Sequence, residues 1–334
     1  VSAEDEARRA RRTFLFLGGA LVLALVWAVM AGSIRIPWRG LLGLEPLDPV
    51  AGTILRTARA PRVALAALVG GGLAVVGACL QAVFRNPMAD AGLLGVASGA
   101  AFGAVLAVHL GWASQLFLSL PLCAFCGAMA TVLAVYALAH ASGRATLHGL
   151  LLTGLAVSAL ASAGTSILLV ATEEFRVRTV LFWLAGGLEG RSWDHLRLAA
   201  AFVVPACALL VALARPLDVL SLGATEAASL SLPVHRTRLL IFGLASLIAG
   251  PATAVAGSVP FVGLMAPHAL RPLVGPLARR LLPASFLAGA LLVVLADLVA
   301  RTASEHLDLP LGSLTALVGA PYFLLALRAR EGRA

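Results

Sequence analysis

The stretch Arg59–Ala101, RAPRVALAALVGGGLAVVGACLQAVFRNPMADAGLLGVASGAA, limits the possible folds more than any other. It opens as an apolar helix long enough to cross a bilayer, breaks at Asn86-Pro87 and resumes as a Gly-rich apolar helix. Pro87 lacks a backbone N–H and biases Asn86 away from helical geometry. Gln81, Arg85, Asn86 and Asp90 cluster at the break. In lipid, a broken helix must bury its freed backbone groups in protein or turn them to a water-filled path. Such a segment suits a transporter better than an anchor.

Composition agrees. The chain is 60% hydrophobic and 12% charged, whereas soluble domains carry about 25% charged residues. Its 334 residues hold about ten spans at ~20 residues each, with connections. The 33 glycines suit close helix contact in lipid. Net charge is +9, and all 25 Lys+Arg residues are arginine. These arginines lie between apolar runs, so headgroups and the positive-inside rule account for most of them, with no need for nucleic acid. Cys79, Cys123, Cys126 and Cys207 lie inside apolar runs and read as small buried hydrophobes; Gly127 follows Cys123-Ala-Phe-Cys126, so this is not a haem-attachment motif. Without lysine the chain carries neither a Walker A loop nor a Schiff-base site. If ATP drives transport, a separate polypeptide hydrolyses it.

Apolar periodicity predicts helices over Thr13–Gly32, Pro61–Phe84, Ala91–Gly111, Leu116–His140, Leu147–Ala171, Leu196–Ala214, Leu239–Gly257, Val259–Leu273, Leu282–Thr302 and Leu311–Leu327. The first follows Arg8, Arg9, Arg11 and Arg12 and lacks a nearby small-residue cleavage site, so it reads as a retained span. Those arginines place both termini in the cytoplasm. Arg56, Arg59, Arg62, Arg176 and Arg178 then fall outside, an excess needing its own explanation. GLAVVGACLQAVFRNPMADAGLLGVASGA resembles GLASLIAGPATAVAGSVPFVGLMAPHAL, each a small-residue helix, a proline break and a short helix. Four helices carry each copy (about 61–171 and 239–327), and an offset of five spans inverts them, as in many transporters. The expected fold is a single all-α membrane domain over 1–334, a ten-span bundle with broken helices and an inverted pseudo-repeat.

Several polar residues lie in or beside the spans. Asp297 is intramembrane, which marks a functional hypothesis; Arg301, four residues on, offers it an i,i+4 partner. His268 is either a ligand or relay or a packing histidine. Ser158, Ser162 and Ser166, with Thr165 alongside, make either a helix interface or a conduit lining. Glu173 to Arg178 mark an aqueous loop, followed by a short amphipathic external helix and turn. Leu217–Arg238 is too polar and short to span, and Gly223 and Pro233 bracket a short helix around Thr225 to Leu230 suited to docking on a cytoplasmic partner. A proton-coupled secondary transporter would use Asp297 or His268. An intramembrane protease would need Ser98 with His268, but Ser-Gly in a Gly-rich span is ordinary packing.

These residues resemble a family, the permease subunits of ABC importers for iron-siderophores, haem and cobalamin (FecCD-type permeases). The matching blocks are RAPR at Arg59–Arg62, GACLQAVFRNPMAD with GLLGVASGA from Gly77, LLLTG at Leu150–Gly154 and FWLAGGLEGRSW at Phe182–Trp193. LSLGATEAASL at Leu220–Leu230, FVGLMAPHALR at Phe261–Arg271, LAD with VAR at Leu295–Arg301 and LP with GSLTALVGAPYFLLALR at Leu309–Arg328 follow in order. The resemblance implies a homodimer in the bacterial inner membrane with the pathway on its two-fold axis. Its partners would be two ATPase subunits, which hold ATP and Mg, and a periplasmic binding protein; this chain itself would carry no cofactor, metal or catalysis. It implies that Leu217–His235 holds the coupling helices, with Gly223, Glu226, Ala227, Ala228, Ser231 and Leu232 at the ATPase; family members have glycine where Ser231 stands. Arg59, Arg62 and Arg301 look like the outer arginines that receive acidic residues of the binding protein. Asn86, Met88, Leu147 and His148 match positions near the cytoplasmic gate, although some relatives have small hydroxyl residues at the last two. The resemblance turns the Ser158/Ser162/Ser166 stripe toward a conduit. The cargo is expected to be a large rigid chelate, an iron chelate favoured over cobalamin, moved by alternating access.

Overall fold

The helix from Ala60 to Phe84 has Arg62 as its one charged side chain and buries almost its whole length, because glycine, alanine and valine alternate around every face. Such a helix belongs at the centre of a bundle. The computed structural model describes residues 3–32, 34, 36–41, 44–115, 118–141, 147–303 and 309–331, whose regular structure is all helix, with no strand among them.

In chain order the α-helices are α1 (Ala3–Met30), α2 (Trp38–Leu41), α3 (Pro49–Ile54), α4 (Ala60–Phe84), α5 (Val96–His109), α6 (Ser119–Ala141), α7 (Leu147–Ala171) and α8 (Glu174–Ala185). They continue with α9 (Trp193–Ala212), α10 (Ala214–Leu222), α11 (Ala224–Ser229), α12 (Val234–Ala256), α13 (Val262–Val274), α14 (Ala278–Thr302) and α15 (Leu311–Glu331). A π-helical turn, Leu55–Arg59, joins α3 to α4. The wider turn suits the position, since Pro61 just beyond it cannot donate to the preceding turn. Among the described residues seven helices are long and apolar enough to cross a membrane, and Val96–His109 and Leu311–Leu325 are shorter apolar helices.

Packing radiates from α4, which touches α14, α13, α12 and α9. Glycine lets the backbones meet: a Cβ on Gly70 would collide with the Gly289 carbonyl on α14, and one on Gly77 with the Gly263 carbonyl on α13. Gln81 on α4 donates to the Gly263 carbonyl (3.2 Å) and accepts from Arg271 on α13 (3.1 Å), giving the core a polar tie. α5 packs on α6 through another small-residue contact, Gly99 against the Gly127 carbonyl.

The two chain breaks lie at opposite ends. α4 runs from the Arg59 end to Arg85, where φ of 51° turns the chain out of the helix. The Asn86 side chain accepts from the Met88 N–H (2.9 Å), and Asp90 accepts from the Gly92 N–H (2.9 Å) to cap the 3₁₀ turn Ala91–Leu94. These Asx bonds satisfy N–H groups that the helix break leaves without a carbonyl partner. The second break, Gly257–Phe261, lies at the Arg62 end: Gly187 N–H donates to the Ala256 carbonyl (2.8 Å), and Leu311 N–H donates to the Gly186 carbonyl (2.9 Å).

Two elements exceed the sequence expectation. α1 begins at Ala3, so the arginine-rich lead-in is helical, with Glu4, Asp5 and Glu6 in its first turn, where carboxylates favour a helix N-terminus. α8 is a full 12-residue helix that buries Val180 and Trp183, and Trp183 donates to the Ala254 carbonyl (3.4 Å).

Candidate functional site

At the Arg62 end, a cavity of about 430 Å³ opens between α1, α4, α14 and the loop before α9. Arg59, Arg62, Arg191 and Arg301 line it, with Gly32, Ile34, Leu188 and Ser192. Three of these arginines spend donors inside the chain. Arg59, 8% exposed, donates to the carbonyls of Val29 (3.3 Å), Met30 (3.2 Å) and Ile34. Arg301 donates to the carbonyls of Ala31 and Ala28. Arg62 Nε meets Asp297 at 2.9 Å, and Arg301 Nε lies 3.5 Å from the other Asp297 oxygen. The sequence offered Asp297 the i,i+4 partner Arg301; the fold adds Arg62, 235 positions away, as the shorter contact. The carbonyls that α1 leaves open at its C-terminus thus find their donors in arginines of α14 and the π turn.

Sequence reading gave no role to Arg191. Its Nη1 lies 3.3 Å from Nε2 of His195, while Nε makes no hydrogen bond among the described residues. Burial lowers its pKa to about 10. His195 caps α9 through its Nδ1, 3.2 Å from both the backbone N–H and the hydroxyl of Ser192. The GRSW string was the available signal: an arginine immediately before a helix-capping serine is set by the helix start. A second cavity of about 390 Å³ adjoins the first across Arg62, Leu188, Gly190 and Arg191, and is lined by Thr179, Trp183, Glu189 and Leu311.

At the opposite end, α10 and α11 form a short projection. Asp218 on α10 accepts from the Ala278 N–H at the start of α14 (2.7 Å), which fixes the arm to the bundle. Ala227 is buried, whereas Glu226, Ala228, Ser231 and Leu230 are exposed. Gly223 adopts φ of 143° between the two helices. Ser231 has φ of 60°; its N–H bonds the Ala228 carbonyl (2.9 Å), and the Leu232 N–H bonds the Ala227 carbonyl (3.0 Å). That pair of bonds is a Schellman stop, whose left-handed residue is normally glycine. Ser231 makes that turn without glycine.

Of the residues expected at a gate, Asn86 is engaged in its Asx turn and Met88 is 44% exposed. Leu147 and His148 begin α7, and their side chains lie outside the described residues. On α7, Ser158 is half-buried near Gly95, while Ser162 and Ser166 are exposed, with Ser166 donating to the Ser162 carbonyl (3.1 Å). Only 11% of the apolar window on this helix is buried, and Leu155, Leu160, Ile167 and Val170 are bare. Ser98 donates to the Gly95 carbonyl (3.0 Å), and His268 packs edge-on to Tyr322 at 6.1 Å. Among the described residues no group of three His, Cys, Asp or Glu side chains could hold a metal.

A bundle of apolar helices broken at both ends, with a polar mouth on one face and a two-helix projection on the other, is a membrane permease. The chain belongs to the FecCD transport family, whose model matches residues 20–329. It is 43% identical to the cobalamin import system permease protein BtuC of Halobacterium salinarum, over 95% of this chain and 86% of that protein. Identity is 37% to the hemin transport system permease protein HmuU of Yersinia pestis (96% and 97% covered). It is 38% to the Fe(3+) dicitrate transport system permease protein FecD of Escherichia coli (93% and 96% covered). A solved metal-chelate-type ABC transporter in an inward-facing conformation superposes with a TM-score of 0.86 at 32% identity, covering 96% of this chain and 99% of that one. The chain is thus a multi-pass membrane permease of the ABC importer type, a non-catalytic subunit that works with ATPase and binding-protein partners.

Proposed function

We propose that this permease imports a large, rigid metal chelate of the cobalamin, haem or ferric siderophore class, as a homodimer that alternates access at its two-fold axis. The whole-length match to relatives named for cobalamin, hemin and ferric dicitrate carries the reading. Those names span all three cargoes, so they do not favour iron over cobalamin as the sequence reading did.

Ten spans account for the chain: the seven long apolar helices, the shorter α5 and α15, and α13, which Pro267 and Pro272 keep short. Breaks at opposite ends support an inverted repeat of 61–171 on 239–327. α10 and α11 are the coupling helices, presenting Glu226, Ala228 and Ser231 to an ATPase that holds ATP and Mg. Two such ATPases serve the dimer. Asn86, Met88, Leu147 and His148 form the gate at the cytoplasmic end, and Ser158, Ser162 and Ser166 line the path. A binding protein docks at the arginine-lined mouth. There Arg59 and Arg301 supply fixed positive charge from below, and Arg62 stands nearer the surface with 16% of its side chain exposed.

The test is binding-protein-dependent ATP hydrolysis by the permease–ATPase complex in liposomes, with binding protein loaded in turn with haem, a ferric siderophore or cobalamin. Stimulated hydrolysis and accumulation of one ligand are the expected result. Uptake driven by a proton gradient with no ATPase bound would overturn it.

A further inference from the structure

α1 carries two opposed stripes. Ala10, Leu17, Ala24 and Ala28 are buried, at the spacing that sets one helical face against α13 and α14. On the other side Arg8, Arg12, Leu15, Gly19, Val22 and Val26 follow at alternating steps of four and three, and all are exposed. Phe16, Leu23 and Trp27 widen this second stripe, 72%, 72% and 61% exposed. The bare face of α7 carries Ser162 and Ser166, whereas the bare face of α1 beyond Arg12 is apolar throughout.

From Arg8 to Trp27 the helix rises about 28 Å, close to the ~30 Å hydrocarbon thickness of a bilayer. Arg8 therefore stands at one interface, and Trp27, an aromatic suited to headgroup level, at the other. Arg12, one turn further in, reaches back to the Arg8 interface along its aliphatic stem. Arg9 and Arg11 flank the pair, both exposed. Among the described residues none of these four guanidiniums makes an ion pair. Glu4, Asp5 and Glu6 lie in the first turn, where the free N–H groups of the helix favour carboxylates. α14 runs parallel to α1, since Arg301 at its far end bonds the Ala28 and Ala31 carbonyls at the far end of α1. Arg279 and Arg280, in the first turn of α14, therefore stand level with the arginines of α1, at the end of the bundle that carries α10 and α11. Six arginines against three carboxylates leave this corner positive.

A basic run alone is satisfied by water. Here the arginines and the apolar stripe form one face, so an occupant that fits it offers a phosphate at Arg8 and Arg12 and hydrocarbon along Leu15, Val22 and Leu23. Guanidinium forks match phosphate oxygens. We propose that this face of α1, with Arg279 and Arg280 beside it, is a binding site for an anionic phospholipid, whose headgroup sits at Arg8 and Arg12 and whose acyl chain lies along the apolar stripe. The site goes beyond the charge bias that orients a span. Orientation needs only an excess of arginine on one side, whereas a lipid site needs the arginines on the face that acyl chains reach.

The experiment titrates the delipidated permease–ATPase complex in detergent with phosphatidylglycerol or phosphatidylcholine and counts bound lipid by native mass spectrometry. The wild type is expected to hold phosphatidylglycerol in preference to phosphatidylcholine. Joint replacement Arg8→Gln with Arg12→Gln should weaken phosphatidylglycerol binding by about 25-fold, from about fivefold for each arginine near an anionic headgroup. Arg8→Lys with Arg12→Lys should fall between, because it keeps the charge and loses the fork. Arg197→Gln, at an exposed arginine paired to Asp194 on α9, should bind as the wild type does. An unchanged thermal midpoint in phosphatidylcholine shows that each variant is folded. If the double glutamine variant binds phosphatidylglycerol as tightly as the wild type, or if Arg197→Gln loses as much, the proposal is wrong. If soluble glycerol phosphate displaces the lipid at equal concentration, the ligand is a free anion and the proposal is overturned. Loss of the ATPase with lipid binding intact would assign the arginines to that protein instead.

Discussion

Asp297 is 1% exposed and lies between two arginines from different parts of the chain. Removing one member of a buried ion pair strands the charge of the others. Asp297→Asn is therefore expected to destabilise the permease by roughly 3 kcal/mol, seen as a lower thermal midpoint in detergent and less folded protein. An unchanged midpoint would mean that Arg62 and Arg301 have other adequate partners. Ser231 gives a prediction of opposite sign. A non-glycine residue in the left-handed region costs about 1 kcal/mol, so Ser231→Gly should stabilise the α11 stop, read as slower hydrogen exchange at the Leu232 amide. Faster exchange would show that the serine makes a compensating contact. Residue roles at the mouth were only half legible in sequence. The resemblance grouped Arg59 and Arg301, and the fold brings both to one cavity. That they bond α1 carbonyls 29 to 273 positions away depends on tertiary packing that no local pattern encodes.

At the scale of elements, glycine spacing was visible in the sequence, but which glycines touch backbone was not. Gly77 meets the Gly263 carbonyl, whereas Gly243 in α12 has open space where its Cβ would be. The same substitution should then act in opposite directions. Gly77→Ala forces α4 away from α13 and should cost about 1–3 kcal/mol; Gly243→Ala relieves a helix-interior glycine and should gain about 0.5–1 kcal/mol. Thermal unfolding of the two variants in the same detergent checks both signs, and equal behaviour would contradict the packing. Helix positions were legible because long apolar runs in lipid leave few alternatives, and Pro87 marked its break unambiguously. The sequence did not reveal that α10 follows α9 almost without interruption. The residue pattern put a short helix around Thr225 to Leu230, and the fold adds α10 before it, where Leu217 and Leu220 turn inward and Asp218 caps α14.

For the whole molecule, the unresolved element is α7. Its hydroxyl stripe supported two readings in sequence because a serine that bonds its own helix is equally at home in lipid, at a helix interface or beside water. Among the described residues the helix packs on α5, α6 and the Ala91–Leu94 turn, and Ser162 and Ser166 are exposed. A second copy across a two-fold axis would give that face both a partner and an aqueous path; lipid would give it neither. The two surroundings predict different chemistry at one position. Ser162→Cys, in a variant with Cys79, Cys123, Cys126 and Cys207 replaced, should react with a membrane-impermeant maleimide when the pathway is open and form a cross-link between copies on oxidation. Val170→Cys, on the same helix and 90% exposed, reports whether the helix end shares that environment. If Ser162→Cys reacts only with a membrane-permeant, apolar reagent and never cross-links, α7 faces lipid and the translocation path must run along another helix.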